Sequence, residues 1–311
     1  MIVPYGYTGW NPEPFLEGNA TDELLEEYMW RYGYHLMGNN RSLDAFTMAV
    51  APDYIRDHGQ PDLMFVKLCD LDSARHRYGL HSAYAEEELR RHDQQLSVLL
   101  EALRRWGDLD NTVIAITGDH GTQDVTGKIH LNVLLREAGF ISLGDDGRIV
   151  DWVAYSHGVG QSAWIEVNKY HADRYVDIYE FLKTLVADEV HGMKFLYTQD
   201  EAREEFGLYD GPFHFVICGD NGATYSSEWD GQASFVDVRD FTPGDNRGNH
   251  GGLPYTVPSL SIFYGPGIEQ GAQLEHASLV DIAPTLAQLG GLEFKTPRDG
   301  RVLTELLDNG N

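Results

Sequence analysis

The chain is short of positive charge. Lysine and arginine supply 23 of its 311 residues against 49 aspartates and glutamates, so the formal net charge is −26. This balance excludes nucleic acid as the main partner, because phosphate backbones are held by clustered Lys and Arg. Cysteine is scarce too. Cys69 and Cys218 both sit in apolar runs that read as buried strands, where a free thiol behaves as a small hydrophobe. Neither a disulfide framework nor a Cys-based metal site is expected. No run approaches the roughly 18 apolar residues of a membrane span. The stretch Met1 to Trp10 has no basic n-region and no long apolar h-region. No signal peptide is read there, and the default compartment is the cytoplasm. Internal repeats and low-complexity segments are missing as well.

What is present fits a globular protein. At 42% hydrophobic and 12% aromatic residues, the chain can build one large core, or a main domain with a smaller partner, and is not a disordered acidic tail. The excess of carboxylates also supplies hard ligands for divalent metals, although a solvated acidic face is the ordinary fate of any one of them.

The patterning alternates. Asp22 to Tyr34 and Arg41 to His58 read as helices, with Pro52 expected to kink or break the second. Leu63 to Cys69, after Pro61, reads as a buried strand of a parallel sheet. Leu89, Leu96, Leu99, Leu100 and Leu103 recur on one face of a long helix from Ser82 to Trp106. Thr112 to Thr117 is a second apolar strand, so the three together predict a βαβ unit. Short alternating elements then predict an inserted α+β subdomain over 148–216, with the core formed by 1–147 and 217–311. Val257 to Tyr264 returns as a core strand and Leu279 to Leu289 as a helix.

Functional groups in open α/β sheets gather at the carboxyl ends of strands. After Cys69 comes Asp70-Leu-Asp72-Ser-Ala-Arg-His76-Arg-Tyr-Gly79. Asp72 and His76 are four apart, so a helical turn puts both on one face, able to share a metal. After Thr117 comes Gly118-Asp119-His120-Gly121, whose glycines permit close backbone approach. Gly248-Asn249-His250-Gly251-Gly252 precedes the strand at Val257. Each fragment alone is common. The three together, at the edges of core strands, are not. His157, in Ser156-His-Gly-Val-Gly160, is a secondary candidate, and the other histidines read as surface or structural.

This order of words resembles the alkaline phosphatase superfamily, in its type I phosphodiesterase/nucleotide pyrophosphatase branch. Ile129 to Phe140, Asp281-Ile-Ala-Pro-Thr285 and Asp299-Gly-Arg-Val-Leu303 extend the resemblance, which runs from about Arg41 to Leu307. It implies an α/β fold, an αβα sandwich with a mostly parallel central sheet and a small inserted subdomain. It implies two ions of zinc type, about 4 Å apart, flanking a phosphate. Asp72, His76 and His250 resemble the ligands of one ion, and Asp119 and His120 two ligands of the other. The implied activity is metal-dependent hydrolysis of a small phosphoester, nucleotides included, with no nucleic acid or membrane as partner. Trp152, Tyr155 and Trp164 would line the leaving-group pocket or serve as core.

One block of the family pattern is not recognised. It would supply a further Asp ligand and a Thr or Ser nucleophile ahead of Arg41; Thr8 is the one early hydroxyl with glycine neighbours, and Thr21 and Ser42 read as helix caps. The catalytic nucleophile therefore stays unassigned, and Trp10-Asn-Pro-Glu-Pro reads as a join in mid-fold. The alternatives are a non-catalytic, truncated metal-binding remnant, or a phosphonate hydrolase or phosphomutase on the same fold. A sulfatase-type Cys/Ser-x-Pro-x-Arg motif is absent. Loss of a first strand would expose sheet surface and favour oligomers.

Overall fold

A computed structural model of the chain describes residues 21–33, 43–208 and 211–308. Helix α1 (Asp22–Tyr28) runs into a π-helical turn, Met29–Gly33. Thr21 sits at its N-cap with extended backbone but makes no side-chain cap bond, and Ser42 lies outside the described residues. Helix α2 (Leu43–His58) continues through Pro52 without ending there. The proline costs one backbone hydrogen bond, and the buried face of Phe46, Val50 and Ile55 keeps the helix in place on both sides of it. Helices α3 (Asp70–Tyr78) and α4 (Ala83–Trp106) follow.

The strands are short. In chain order they are β1 (Ile114–Thr117), β2 (Gln123–Asp124), β3 (Gly127–Ile129), β4 (Ile141–Leu143), β5 (Ile149–Trp152), β6 (Ala154–Gly158), β7 (Ser162–Val167), β8 (Phe195–Thr198), β9 (Phe215–Cys218), β10 (Ala223–Tyr225), β11 (Phe235–Asp237), β12 (Gly248–Asn249) and β13 (Ser261–Tyr264). Helices α5 (Leu131–Glu137), α6 (Tyr175–Ala187), α7 (Gln199–Phe206) and α8 (Ile282–Leu289) lie between and after them. Helix α7 shows how local sequence sets an element. Thr198 and Glu201 form a reciprocal capping box at its start, and Gly207 ends it at φ +67°.

The expected mostly parallel sheet is not what the described residues form. Their sheets are small, and every pairing is antiparallel except β3 with β10. Leu63 to Cys69 takes no regular secondary structure and joins no ladder among the described residues, and Leu63 and Phe65 are exposed. An apolar run reports the wish to bury surface, not the partner or its direction. The other predicted core strand, β1, pairs antiparallel with β13, Ile116 opposite Ile262.

The chain divides into two compact units, one of residues 1–71, 87–119 and 259–311, the other of 72–86 and 120–258. In the first, Tyr28, Phe46 and Val50 form a small core. In the second, the sheet β6-β7-β9-β8 and helix α6 share the largest core, where Ile165, Phe215 and Ile217 meet Ile178 and Leu182. All five are fully buried, each contributing about 1.5–3 kcal/mol by transfer from water. No helix among the described residues is long and apolar enough to cross a membrane.

Candidate metal centre

Asp72 and His76 lie on α3, one turn apart on the same face. His250 follows directly on β12, which pairs with β2 through Gly248 opposite Asp124 and Asn249 opposite Gln123. Two hydrogen bonds tie this edge to α3 and to the turn that follows it. The Arg247 N–H donates to the His76 carbonyl at 2.6 Å, and Leu80 N–H donates to Asp124 Oδ1 at 2.7 Å. The three side chains therefore converge within the second unit, although 174 residues separate His76 from His250.

The geometry is one that could hold a metal ion. One ligand atom from each of Asp72, His76 and His250 lies within 4.8 Å of the others. His250 Nε2 is 3.1 Å from His76 Nε2. Asp72 Oδ1 is 3.4 Å from His76 Nε2 and 3.9 Å from His250 Nε2. Bonds of about 2.0–2.1 Å in a tetrahedral zinc site put ligand atoms roughly 3.4 Å apart, which these separations bracket.

Two further observations bear on the fit. His76 Nδ1 is 2.8 Å from the Gly248 carbonyl. A carbonyl only accepts, so Nδ1 carries the proton, and Nε2 is the ring nitrogen that faces the cluster. Asp72 Oδ1 is buried and accepts no hydrogen bond. A buried carboxylate oxygen without a donor is costly unless a cation meets it. The donor set of two imidazoles and a carboxylate is one that zinc accepts.

The other predicted residues are not members of this ligand set. The His120 ring stacks on that of His250, centroids 3.6 Å apart and planes 17° apart, and its Nδ1 is 3.0 Å from the Gly121 carbonyl. Asp119 belongs to the first unit, where Lys67 Nζ donates to its Oδ2 at 2.5 Å. His157 lies beside Glu166 at 3.2 Å. Trp152 and Tyr155 pack against the large core and Trp164 against Phe213. Thr8 lies outside the described residues.

Sequence reading passed over the residues that hold His250 in place. The Asn249 side chain caps the His250 N–H at 2.9 Å, and Gln161 N–H donates to the His250 carbonyl at 2.8 Å. The asparagine beside the histidine was the only local signal. Gln161 carried none, being distant in sequence.

A sequence model described as type I phosphodiesterase/nucleotide pyrophosphatase matches residues 5–252, starting well before Arg41. The fold is similar to that of human ectonucleotide pyrophosphatase/phosphodiesterase 5, at TM-score 0.63 and 18% identity over 86% of this chain and 64% of that one. The murine protein of the same name gives TM-score 0.63 at 17% identity, over 86% of this chain and 65% of that one. A structure of an inactive murine variant in complex with AMP gives the same TM-score and identity, over 86% of this chain and 64% of that one. The chain thus spans just under two thirds of the length of these relatives. No curated protein matches it significantly. The chain belongs to the type I phosphodiesterase/nucleotide pyrophosphatase family.

Proposed function

We propose that the chain is a metal-dependent hydrolase of small phosphodiesters or pyrophosphates, nucleotides among them, with Asp72, His76 and His250 as ligands of one divalent ion. The observation that carries this reading is the convergence of the His76 and His250 Nε2 atoms on a buried Asp72 oxygen that accepts no hydrogen bond. Zinc suits the donor set. The substrate class follows from the family and from the AMP bound by the murine relative.

The residues divide the work. Asp72 contributes the negative charge. His76, held by the Gly248 carbonyl, keeps its Nε2 lone pair directed inward. The stack with His120 limits rotation of the His250 ring. A divalent ion bound there supplies the positive charge that phosphoryl transfer needs on its equatorial oxygens. In a chain of net charge −26, such local positive charge is what would let an anionic substrate approach.

The test joins binding to turnover. Calorimetric titration with zinc should show tight binding by the wild type and at least about tenfold weaker binding by His250→Ala. Zinc at a hundred times its Kd should stabilise the wild-type fold by about 2.7 kcal/mol. Hydrolysis of bis-p-nitrophenyl phosphate should require the ion and fail in His250→Ala. Equal zinc binding by both proteins would remove the site. Tight binding with no ion-dependent turnover would leave a metal-binding module in place of the hydrolase.

A further inference from the structure

His250 reaches its neighbours from a loop, so something has to aim it. The two-residue strand β12 does not suffice alone. The backbone on either side of His250 is pinned by separate partners. On the amino side, Asn249 is buried and its Oδ1 accepts the His250 N–H at 2.9 Å. A backbone N–H can only donate, which fixes the orientation of that amide. Asn249 Nδ2 must then donate outward, and it does so to Thr224 Oγ1 at 2.7 Å. The Thr224 hydroxyl passes its own proton to the Gly160 carbonyl at 2.9 Å. On the carboxyl side, the His250 carbonyl accepts the Gln161 N–H at 2.8 Å, and Gly251 turns away at φ +79° against Val159.

With both flanking peptides held, the direction of the imidazole is set by its own side-chain torsions and by the His120 stack. We propose that Asn249, braced by Thr224, is a positioning residue that fixes the His250 backbone so that Nε2 faces Asp72 and His76. This rests on the reading of His250 as a metal ligand. Each donor and acceptor in the relay from His250 N–H to Gly160 acts in the right sense, and the Gly160 carbonyl that ends it is anchored by a second bond from the Tyr225 N–H at 2.7 Å, so cutting the relay at either Asn249 or Thr224 loosens the same peptide. Thr224 lies on β10, remote in sequence from the ligands, and serves the site only through this relay.

Cobalt(II) is the probe, because its d–d absorption reports ligand geometry as well as occupancy. Asn249→Ala and Thr224→Val should each bind cobalt about tenfold more weakly than the wild type and show an altered d–d band at saturation. Thr224→Ser, which keeps the hydroxyl, should restore both. Leu182→Ala, a core truncation in the same unit, should lower thermal stability yet keep the wild-type Kd and band. Should Asn249→Ala fail to fold, the Thr224 pair decides. Wild-type Kd and spectrum in Thr224→Val would overturn the proposal and leave Asn249 a loop stabiliser. Failure of the wild-type chain to bind cobalt at all would instead overturn the ligand reading, and the positioning role with it.

Discussion

Replacing Asp44 by alanine should be among the more damaging single changes in the first unit. Asp44 lies in the first turn of α2 and is 1% exposed. Its Oδ1 accepts the Cys69 N–H at 2.7 Å, and its Oδ2 accepts the Asp70 N–H at 2.9 Å and faces His92 Nε2 at 2.9 Å. The two amides belong to the free N-terminal end of α3, which has no intrahelical partners for them. A lost cap costs about 0.5–2 kcal/mol, and a buried donor left without an acceptor about 1–3 kcal/mol. Cys69 is only half-buried, so water can reach part of the gap, and the sum settles at about 3–4 kcal/mol. That is a large share of the roughly 5–15 kcal/mol that holds a domain folded. Asp44→Asn keeps one oxygen but turns an amide group toward a donor, and should lose about half as much. Urea unfolding followed by circular dichroism gives the loss. Hydrogen exchange at the Cys69 and Asp70 amides reports it locally, which matters because two units need not unfold as one. If Asp44→Ala costs less than about 1 kcal/mol and leaves those two amides protected, the carboxylate is not the cap of α3 and the reasoning fails.

Acid should weaken the second unit in two stages. Burial holds His130, His191 and His214 below the ordinary histidine value of 6.5, so below that pH the unfolded chain binds more protons and stability falls. The Asp245 carboxyl is brought down to about 2, first by its bond from Lys128, so its contribution survives until the pH drops below its ordinary 3.8 and is lost on the way to 2. A thermal midpoint that stays flat between pH 7.5 and 5.5 would contradict the first stage. At Gly251, φ is +79° and an added Cβ would stand 2.2 Å from the Val159 carbonyl oxygen. Gly251→Ala should therefore cost well over the ~1–2 kcal/mol of a left-handed alanine and weaken zinc binding. Gly147→Ala, with φ +74° and nothing within 4 Å of the new Cβ, should cost only that conformational part, and the two are compared by urea midpoints.

The sequence by itself determined what local chemistry can determine. The four-residue spacing of Asp72 and His76 fixes them on one helical face, because helix periodicity is a property of the backbone. The capping box of α7 and the leucine pattern of α4 are local in the same sense. Other features depended on partners that no window of sequence contains. The apolar run at Leu63 to Cys69 forms no ladder among the described residues, and β1 takes its direction from β13 nearly 150 positions later. Pro52 is tolerated because tertiary burial outweighs one missing hydrogen bond. Asp119 and His120 are neighbours in sequence, yet they fall in different units, one paired with Lys67 and the other stacked on His250. Only the tertiary structure brought His250 to His76, through the β2–β12 pairing and the Arg247 hydrogen bond. Metal ligation is a matter of distances of a few ångströms between side chains, and over a separation of 174 residues the fold, not the spacing, sets those distances.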